Sequence, residues 1–309
     1  YVPPRSAFGL MVMLQKKLGV FLVDKLRAIL LLEANFNFAN KLMLGVQLMR
    51  QAERLHLTRP EALGSRRGHD SKELALNRRL AADLARQQVR PLAIASVDAS
   101  QCYDRIAHAP GSFSCQRLGV PPMFLATVLL TIQLMKFYVR TAYGDSTTFF
   151  TSQHTPTPFQ GICQGNGGGP AFWYAVSIVL VLLLHHRGHH ADYYNSLSQE
   201  LTQVAGLLFV DDTDLLARGD SAGEAARALQ AAVLTWQGGL HATGGALKPE
   251  KCSWCLLGFT HKSGKVQLLT PRTSPAQISL LGPDNSQVPI KRVPASTGVT
   301  VVGVTQALN

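Results

Sequence analysis

Two adjacent aspartates between two apolar runs limit the fold more than any other feature of the sequence. Asp211 and Asp212 separate residues 206–210 from residues 215–217. Short apolar runs on both sides of a tight turn predict a hairpin of two buried strands. Adjacent carboxylates in such a setting repel each other and lose hydration unless cations compensate their charge. The alternative is an ordinary turn, because Asp is a common turn residue.

A third aspartate follows a separate apolar run. Residues 91–97 read Pro-Leu-Ala-Ile-Ala-Ser-Val, which predicts a buried strand, and the next residue is Asp98. If this strand end lies beside the Asp-Asp hairpin, the three carboxylates form a site for two divalent cations. Hard ions such as Mg²⁺ prefer oxygen ligands of this kind. Asp104, six residues further, is interpreted as a helix N-cap.

A glycine-rich segment lies between these acids. Residues 160–170 read QGICQGNGGGP and contain five glycines. Glycine lets the backbone approach a ligand closely, and Pro170 suits the first turn of a helix. The segment is either a flexible loop or, ahead of a helix in a basic protein, a cradle for a template or a nucleotide.

The basic excess indicates a polyanionic partner. Lys and Arg number 30 against 19 Asp and Glu, which gives a net charge of +11. This balance favours nucleic acid first and an anionic membrane surface second. Residues 50–90 hold ten of the basic residues against five acidic ones. Arg66 and Arg67 lie in this stretch and are candidate phosphate contacts, with a solvated surface as the alternative.

The same stretch contains two helical patterns, at about residues 40–56 and 71–88. In the second, four leucines recur near helical spacing and predict the buried face, while three arginines lie largely off it. The leucines are Leu74, Leu76, Leu80 and Leu84, and the arginines are Arg78, Arg79 and Arg86.

The remaining patterns mix strands and helices, which indicates an α/β or α+β protein. Hydrophobic residues make up 46% of the chain, so wholesale disorder is excluded. No segment reaches the roughly 18–20 continuous apolar residues that span a bilayer. Further predicted elements are a helix at 122–139, a strand at 147–151, an apolar helix at 170–184, a helix at 222–240 closed by Gly238 and Gly239, and a hairpin turn at 282–285.

The order of the motifs resembles that of the reverse transcriptases. Residues 96–106 (SVDASQCYDRI) resemble motif A, residues 160–170 motif B, and residues 209–212 (FVDD) motif C. Residues 247–254 (LKPEKCSW) resemble motif D, and residues 301–304 (VVGV) resemble the primer-grip region. Residues 26–32 and 64–68 are similar to fingers motifs. The resemblance covers about residues 20–304 and is nearer to non-LTR retrotransposon enzymes than to retroviral ones.

This resemblance implies an α+β right-hand polymerase with fingers and palm, in which an antiparallel palm sheet packs on helices and the thumb is largely absent. Residues 1–93 are expected to form the N-terminal part of the fingers, and residues 94–260 the palm with inserted fingers helices. Residues 261–309 are expected to form an incomplete palm–thumb junction with a primer-grip-like hairpin. The chain begins at Tyr1 and not at Met, which suggests a fragment.

The resemblance also implies the site residues. Asp98 and Asp211 are expected to hold two Mg²⁺ ions, or Mn²⁺, with Asp212 in support. Lys251 matches the motif D lysine that protonates pyrophosphate; an exposed turn lysine is the alternative. The implied nucleotide contacts are Tyr103 as the steric gate against a 2′-hydroxyl, Gln164 and Gly165 beside the incoming nucleotide, and Arg27 on the triphosphate.

Two positions depart from the family pattern. Gly169-Pro170 stands where Ser-Pro is usual, and Arg27-Ala28-Ile29 stands where Arg-Pro-Ile is common. Neither change removes an expected metal ligand.

The expected activity is RNA-templated DNA synthesis at a primer 3′-hydroxyl, with an RNA template, a DNA primer and deoxynucleoside triphosphates as partners. No membrane is expected, and the compartment is expected to be the nucleus or the cytoplasm; the oligomeric state is left open. One alternative is an inactive retroelement remnant that only binds nucleic acid. The other is an RNA-templated RNA polymerase palm, against which the bulky Tyr103 argues.

Cysteine and histidine clusters offer weaker metal hypotheses. Five scattered cysteines favour a reducing compartment over a disulfide framework. Cys252 and Cys255 have half of a zinc-site spacing. Four histidines between residues 185 and 190 follow a predicted helix end, where their charge also suits the helix dipole.

Overall fold

Helices and strands alternate along the chain in a computed structural model that describes residues 3–16, 18–20, 22–195, 197–301 and 303–308. The helices are α1 (Ala34–Asn40), α2 (Met49–Arg54), α3 (Ser71–Gln87), α4 (Cys102–Arg105), α5 (His108–Arg117), α6 (Pro122–Leu134), α7 (Gly169–His186) and α8 (Ala222–Ala242). A π-helical segment, Lys41–Leu48, joins α1 to α2. Short 3₁₀ turns lie at Pro4–Ala7, Val23–Lys25, Ser152–His154 and Pro249–Lys251.

The strands in the N-terminal half are β1 (Phe8–Gln15), β2 (Leu26–Leu32), β3 (Leu92–Asp98), β4 (Lys136–Thr141) and β5 (Gly144–Asp145). Those in the middle are β6 (Ala191–Tyr194), β7 (Leu201–Val204), β8 (Gly206–Phe209), β9 (Asp212–Arg218) and β10 (Ser253–Leu257). The last are β11 (Phe259–Lys262), β12 (Lys265–Leu268), β13 (Ser279–Leu281), β14 (Gln287–Pro289), β15 (Lys291–Arg292), β16 (Val299–Val301) and β17 (Val304–Gln306).

The chain divides into two units. Unit 1 comprises Tyr1–Thr58 and Gln101–Val176, and unit 2 comprises Arg59–Ser100 and Ser177–Asn309. The predicted division at residues 93/94 and 260/261 concerns functional subdomains and stays a prediction. Residue 302, inside the segment predicted as a primer grip, lies outside the described residues.

Unit 1 contains a four-stranded sheet in the order β2-β1-β4-β5. Strand β1 pairs antiparallel with β2 and parallel with β4. Leu30, Met135 and Phe137 are buried at the centre of a core on this sheet. Because alternate residues of a strand point to opposite faces, Leu30 lies on the covered face and Arg27 on the other.

Unit 2 contains a five-stranded sheet in the order β15-β10-β3-β9-β8. The central β3 pairs antiparallel with β9 and with β10, and only the two-residue β15 runs parallel to its neighbour. All but two residues of β3 are fully buried, as its continuous apolar run predicts. Helix α3 packs on β8, and α8 packs on β3 and β9. The long helices begin at capping boxes, Asp70 with Glu73 for α3 and Ser221 with Glu224 for α8.

The predicted buried face of α3 is wrong. Leu76, Leu80 and Leu84 are exposed, whereas Leu74, four alanines and the side chain of Arg78 are buried. Small alanines allow the helix to approach the sheet closely, and Arg78 is tolerated there because a buried carboxylate pairs with it.

Other local predictions need correction. Helix α6 ends at Leu134, so the end of the predicted helix at 122–139 belongs to β4. Residues 147–151 form no strand beyond a bridge between Phe150 and Phe137. Helix α8 continues through Gly238 and Gly239 to Ala242, so the glycines do not end it. Glycine at residue 239 leaves room for Leu180 and Leu183, which a Cβ there would crowd. The helical region predicted at 40–56 begins earlier in the structure, at Ala34.

Helix α7 is the one described helix that is long and apolar enough to cross a membrane, and 67% of it is buried inside the protein. It is longer than the apolar stretch predicted from the sequence, since it runs over 18 residues. Its apolar residues pack as those of a core helix do.

Candidate active site

The antiparallel pairing of β3 with β9 brings two of the predicted carboxylates together. In this register Asp98 lies opposite Asp212, and Ser96 lies opposite Asp214. Directly opposed residues of an antiparallel pair project from the same face of the sheet. The four side chains therefore share one face at the end of β3, and Asp98 lies beside the Asp-Asp hairpin.

Asp211 lies in the turn that joins β8 to β9. Val210 and Asp211 form the turn, and both Asp211 and Asp212 are exposed. Val210 has a φ of 57°, a left-handed conformation that is unusual for a β-branched residue. The turn thus places Asp211 next to the Asp98–Asp212 pair at the cost of backbone strain.

Lys251 contacts the carboxylate pair directly. Its Nζ donates to Asp98 Oδ2 over 2.9 Å. The segment before it is held along the end of β3, since Ala99 bridges Leu247 and the Lys248 amide donates to the Asp98 carbonyl oxygen. The 3₁₀ turn Pro249–Lys251 then directs the chain back into β10. The predicted motif D lysine is therefore part of the carboxylate site.

Desolvation and neighbouring charges raise the pKa of Asp212 to about 6. Although the side chain is solvent-exposed, removal of water from part of it is the largest cause. The charges of Asp211, Asp214 and Asp98 add to this increase, and Lys251 opposes it. The site thus carries more negative charge than its single nearby lysine compensates, which favours a bound cation.

Sequence reasoning missed a buried polar group behind this site. Asp214 is fully buried and accepts hydrogen bonds from Arg78 Nη1 at 3.1 Å and from Ser96 Oγ at 2.5 Å. Arg78 is itself buried and also donates to Ser96 Oγ at 3.2 Å. Burial raises the pKa of Asp214, and the Arg78 charge opposes that shift. A third aspartate, two residues after the Asp-Asp pair, was the available signal.

The donor chemistry of the site fits hard divalent ions. Asp98, Asp211 and Asp212 offer carboxylate oxygens, which Mg²⁺ prefers. Over the part of the chain that the structure describes, no three His, Cys, Asp or Glu side chains are grouped as a metal site would require. The ammonium group of Lys251 pairs with Asp98. The three aspartates are therefore neighbours, but they are not arranged as a complete set of metal ligands.

A cavity of about 290 Å³ opens beside the carboxylates. Strand β16 contributes to its wall, so the hairpin predicted as a primer grip borders the same cavity as the aspartates. The polar lining residues are Ser96, Asp98, Asp212, Thr213, Asp214, Lys251, Ser253 and Thr300.

The cysteines and the histidine cluster considered as weaker metal candidates have other surroundings in the structure. Cys252 and Cys255 are buried free thiols, and burial raises the pKa of each to about 11. His185 bonds to the buried Glu61 and contacts Arg59. These groups serve packing and hydrogen bonding in unit 2.

In unit 1, the glycine-rich segment is fixed by backbone contacts. The Gln164 carbonyl oxygen accepts from the Leu30 amide at 2.7 Å. Gly165 has a φ of +111°, and a Cβ there would lie 2.3 Å from the Leu30 carbonyl oxygen, so only glycine fits. The segment is therefore held against β2 by close backbone contacts.

Two side chains that sequence reasoning missed also hold this segment. Asn37 Oδ1 accepts from the Gly167 amide at 2.6 Å, and its Nδ2 donates to the Gly165 carbonyl oxygen. Asp104 Oδ1 accepts from the Gln164 amide at 3.1 Å. Asp104 lies inside α4, whose N-cap is Gln101, so the predicted N-cap role of Asp104 is wrong.

Tyr103 lies beside the same segment. The Tyr103 carbonyl oxygen accepts from the Ile162 amide at 2.7 Å, and its half-buried ring faces Gly169. A Cβ at Gly169 would lie 3.5 Å from the Tyr103 ring, an ordinary contact, so the ring does not exclude a Cβ at this position. Three of the four predicted nucleotide contacts, Tyr103, Gln164 and Gly165, thus lie together.

The predicted arginines have different surroundings. Arg27 is an exposed residue of β2, opposite Leu14. Arg66 Nη1 donates to the carbonyl oxygens of Arg59 at 3.1 Å and Ala62 at 3.3 Å. Arg67 is exposed. Their predicted contacts with triphosphate or nucleic acid stay predictions.

Comparison with known folds shows similarity to solved telomerases. Telomerase from Candida albicans with a TWJ fragment of telomeric RNA has a TM-score of 0.53 at 13% identity, over 86% of this chain and 44% of that one. Apo telomerase from Candida tropicalis, truncated from the C-terminal domain, has a TM-score of 0.52 at 16% identity, over 87% and 54%. The chain spans about half the length of these telomerases. This similarity concerns the fold, and it confirms the predicted α+β class.

A comparison with curated proteins finds no match. The family model described as "Reverse transcriptase (RNA-dependent DNA polymerase)" matches residues 14–305, almost the entire chain. Together with the aspartates at the ends of β3 and β9, this match confirms the resemblance read from the motifs: the chain belongs to the reverse transcriptase family.

Proposed function

We propose that this chain catalyses RNA-templated DNA synthesis by nucleotidyl transfer to a primer 3′-hydroxyl. The observation that carries the proposal is the pairing of Asp98 with Asp212 across β3 and β9, with Asp211 in the adjoining turn. Membership of the reverse transcriptase family supports the reaction type. The similar telomerases, one of them solved with a fragment of telomeric RNA, support an RNA template by similarity of fold.

In this reaction the 3′-hydroxyl oxygen attacks the α-phosphorus of a deoxynucleoside triphosphate and pyrophosphate leaves. Asp98, Asp211 and Asp212 would hold two Mg²⁺ ions, or Mn²⁺. When bound, such ions lower the pKa of the attacking hydroxyl and stabilise the leaving oxygens. Catalysis then depends on positioning and charge compensation and not on a covalent intermediate.

Lys251 is suited to donate a proton in this site. Its ammonium group lies 2.9 Å from Asp98 Oδ2, so it is within the carboxylate site and carries the proton that a leaving pyrophosphate needs. Tyr103, next to the fixed glycine-rich segment, would exclude a 2′-hydroxyl. Gln164, Gly165 and the exposed Arg27 would contact the nucleotide.

We infer a retrotransposon-type origin from the FVDD form of motif C and from the fingers segments. A primer, a template and deoxynucleoside triphosphates would be the partners, in the nucleus or the cytoplasm. The net charge of +11 supports binding of such polyanions.

Primer extension tests the proposal. Poly(rA)/oligo(dT) is compared with poly(dA)/oligo(dT) in Mg²⁺ and in Mn²⁺, with dTTP and UTP in separate reactions. We expect extension with dTTP on the RNA template and its loss in Asp211→Asn, because one ligand charge is removed. The control is Asp220→Asn, which changes an aspartate with 86% side-chain exposure and should extend primers normally.

The alternatives are distinct outcomes of the same assay. Extension with UTP in preference to dTTP would identify an RNA-templated RNA polymerase. Binding of the primer–template without extension in either metal would identify a remnant that only binds nucleic acid. Extension by Asp211→Asn at the wild-type rate would overturn the assignment of the aspartates.

A further inference from the structure

The turn that carries Asp211 has a conformation that its own residues disfavour. Val210 has a φ of 57°, and a β-branched side chain is poorly accommodated in this left-handed region. A strained turn persists only when its surroundings determine its conformation. The contacts that hold Val210 therefore bear on the position of Asp211.

A short extended segment pairs with the strand before this turn. The Leu208 amide donates to the Glu61 carbonyl oxygen at 2.8 Å, and the Leu63 amide donates to the Leu208 carbonyl oxygen at 2.8 Å. Ala62 forms a parallel bridge with Leu208. Since β8 is the edge strand of its sheet, residues 61–63 continue the sheet by one short strand.

This segment reaches the strained turn at Gly64. A Cβ at Gly64 would lie 2.4 Å from the Val210 amide nitrogen, and 3.1 Å from Val210 Cα and Cγ2. The φ of Gly64 is not positive, so its backbone conformation does not by itself demand glycine. The close approach to the backbone of Val210 is what demands it.

The segment is itself anchored. Glu61 is 3% exposed, and its carboxylate accepts from Arg59 Nε at 3.1 Å and pairs with His185. On the other side, Arg66 Nη1 donates to the Ala62 carbonyl oxygen at 3.3 Å. Gly64 therefore presses on Val210 from a segment that is fixed at both ends.

We propose that Gly64 is a positioning residue for the catalytic turn. Because Gly64 has no side chain, the backbone of residues 61–64 packs directly on the Val210 peptide and holds Asp211 beside Asp98 and Asp212. A side chain at residue 64 would displace the turn and, with it, Asp211. The effect on activity rests on the proposed function, whereas the effect on the turn does not.

Steady-state kinetics of Gly64→Ala test the proposal. We expect kcat to fall about 10- to 100-fold, because small displacements of catalytic groups have effects of this size. The KM for dTTP and the affinity for primer–template should change less than threefold. The matched control is Gly238→Ala, which adds the same methyl group where nothing lies within 4 Å. Wild-type kcat in folded Gly64→Ala would overturn the proposal.

A double-mutant cycle with Val210→Gly separates positioning from a general loss of structure. Glycine at residue 210 removes the crowded side chain and accepts a positive φ without strain, so the turn can yield. We expect the kcat loss caused by Gly64→Ala to be at least fivefold smaller in the Val210→Gly background. If Gly64→Ala fails to fold, the double variant should fold and extend primers. Equal losses in both backgrounds, or a double variant that also fails to fold, would overturn the proposal.

Amide hydrogen exchange provides a measurement that needs no activity. Peptides covering residues 206–212 should exchange faster in Gly64→Ala than in the wild type, and at the wild-type rate in Gly238→Ala. An inactive wild-type protein with this exchange difference would refute the proposed function and leave the positioning role intact. Unchanged exchange over residues 206–212 would overturn the positioning role itself.

Discussion

At the scale of single residues, His108 shows how a buried titratable group makes stability depend on pH. Its Nε2 contacts the Gly161 carbonyl oxygen at 2.7 Å, and its Nδ1 contacts Gln133 Nε2 at 3.0 Å. These partners suit the neutral ring, with a proton on Nε2 and none on Nδ1. Burial lowers the pKa of His108, and the bond to Gly161 opposes this shift. His108 therefore fixes the start of the glycine-rich segment best when uncharged.

The sign of the pH effect follows from this lowered pKa. Below about pH 6.5 the unfolded chain binds a proton at His108 that the folded protein does not, so the free energy of unfolding falls as the pH falls. Urea unfolding of wild type and His108→Gln from about pH 7.5 to 5.5 measures this, and the wild type should lose more stability on acidification. His241→Gln, which changes an exposed histidine of α8, is the control. Parallel pH profiles for wild type and His108→Gln would contradict the expectation.

Tyr103 carries the prediction on sugar selection. Tyr103→Ala should raise the ratio of UTP to dTTP incorporation, because it removes the bulk expected to meet a 2′-hydroxyl. Tyr103→Phe keeps the ring and should preserve the wild-type ratio. The ratio of kcat/KM for the two nucleotides, measured on one primer–template, is the readout. An unchanged ratio in a folded, active Tyr103→Ala protein would remove this residue from the gate.

At the scale of elements, the Arg78–Asp214 pair links α3 to β9. Both side chains are buried, so removing one partner leaves an uncompensated charge in the interior, which costs about 3–5 kcal/mol. Arg78→Met should therefore lower the free energy of unfolding by about this amount in urea titrations. Combining it with Asp214→Leu should restore most of the loss, because both charges are then absent.

The same helix supplies the control for this prediction. Arg79 pairs with Asp83 on the exposed side of α3 and donates to the Ala307 carbonyl oxygen at 3.0 Å. Exposed pairs contribute about 0–1 kcal/mol, and a single hydrogen bond contributes about 1 kcal/mol. Arg79→Met should therefore have a small effect on unfolding. Equal losses from Arg78→Met and Arg79→Met would show that the buried pair does not secure α3 on the sheet.

Helix α3 also shows which elements a sequence can predict. Strands β3, β8 and β9 are predicted because each is an apolar run whose burial needs no particular partner. The buried face of α3 was predicted wrongly because Arg78 reads as a surface residue until Asp214 is known to contact it. These two residues are 136 positions apart in the chain, and no local pattern encodes such a pairing.

At the scale of the whole molecule, the order of motifs along the chain sufficed to predict the family and the carboxylate site. The sequence also suggested that Asp98 lies beside the Asp-Asp hairpin, but β3 and β9 are continuous buried runs without alternation, so their register was not predictable. The contacts of Asn37 and Asp104 with the glycine-rich segment, and that of Gly64 with the turn of Asp211, were not predicted. The roles of these residues depend on backbone contacts between distant segments, and a single sequence contains no signal for such contacts.

The excess of positive charge leads to a prediction for the whole molecule. Binding of primer–template should weaken steeply with salt, because phosphate contacts release counterions. Arg67 is exposed, and if it contacts one phosphate, Arg67→Ala should reduce the slope of log affinity against log salt by about one unit. Fluorescence anisotropy between about 50 and 200 mM salt measures this slope.

Arg66 should behave differently, although the sequence groups it with Arg67. Its guanidinium donates to the carbonyl oxygens of Arg59 and Ala62, so it closes the loop of residues 59–66 that contains the Gly64 segment. Arg66→Ala should lower the melting temperature and leave the salt slope nearly unchanged, whereas Arg67→Ala should do the reverse. Because both variants remove one positive charge, a general electrostatic effect would move both slopes equally. A reduced salt slope with an unchanged melting temperature in Arg66→Ala would instead show that Arg66 contacts nucleic acid. The loop would then be held by Glu61 and by the pairing with β8.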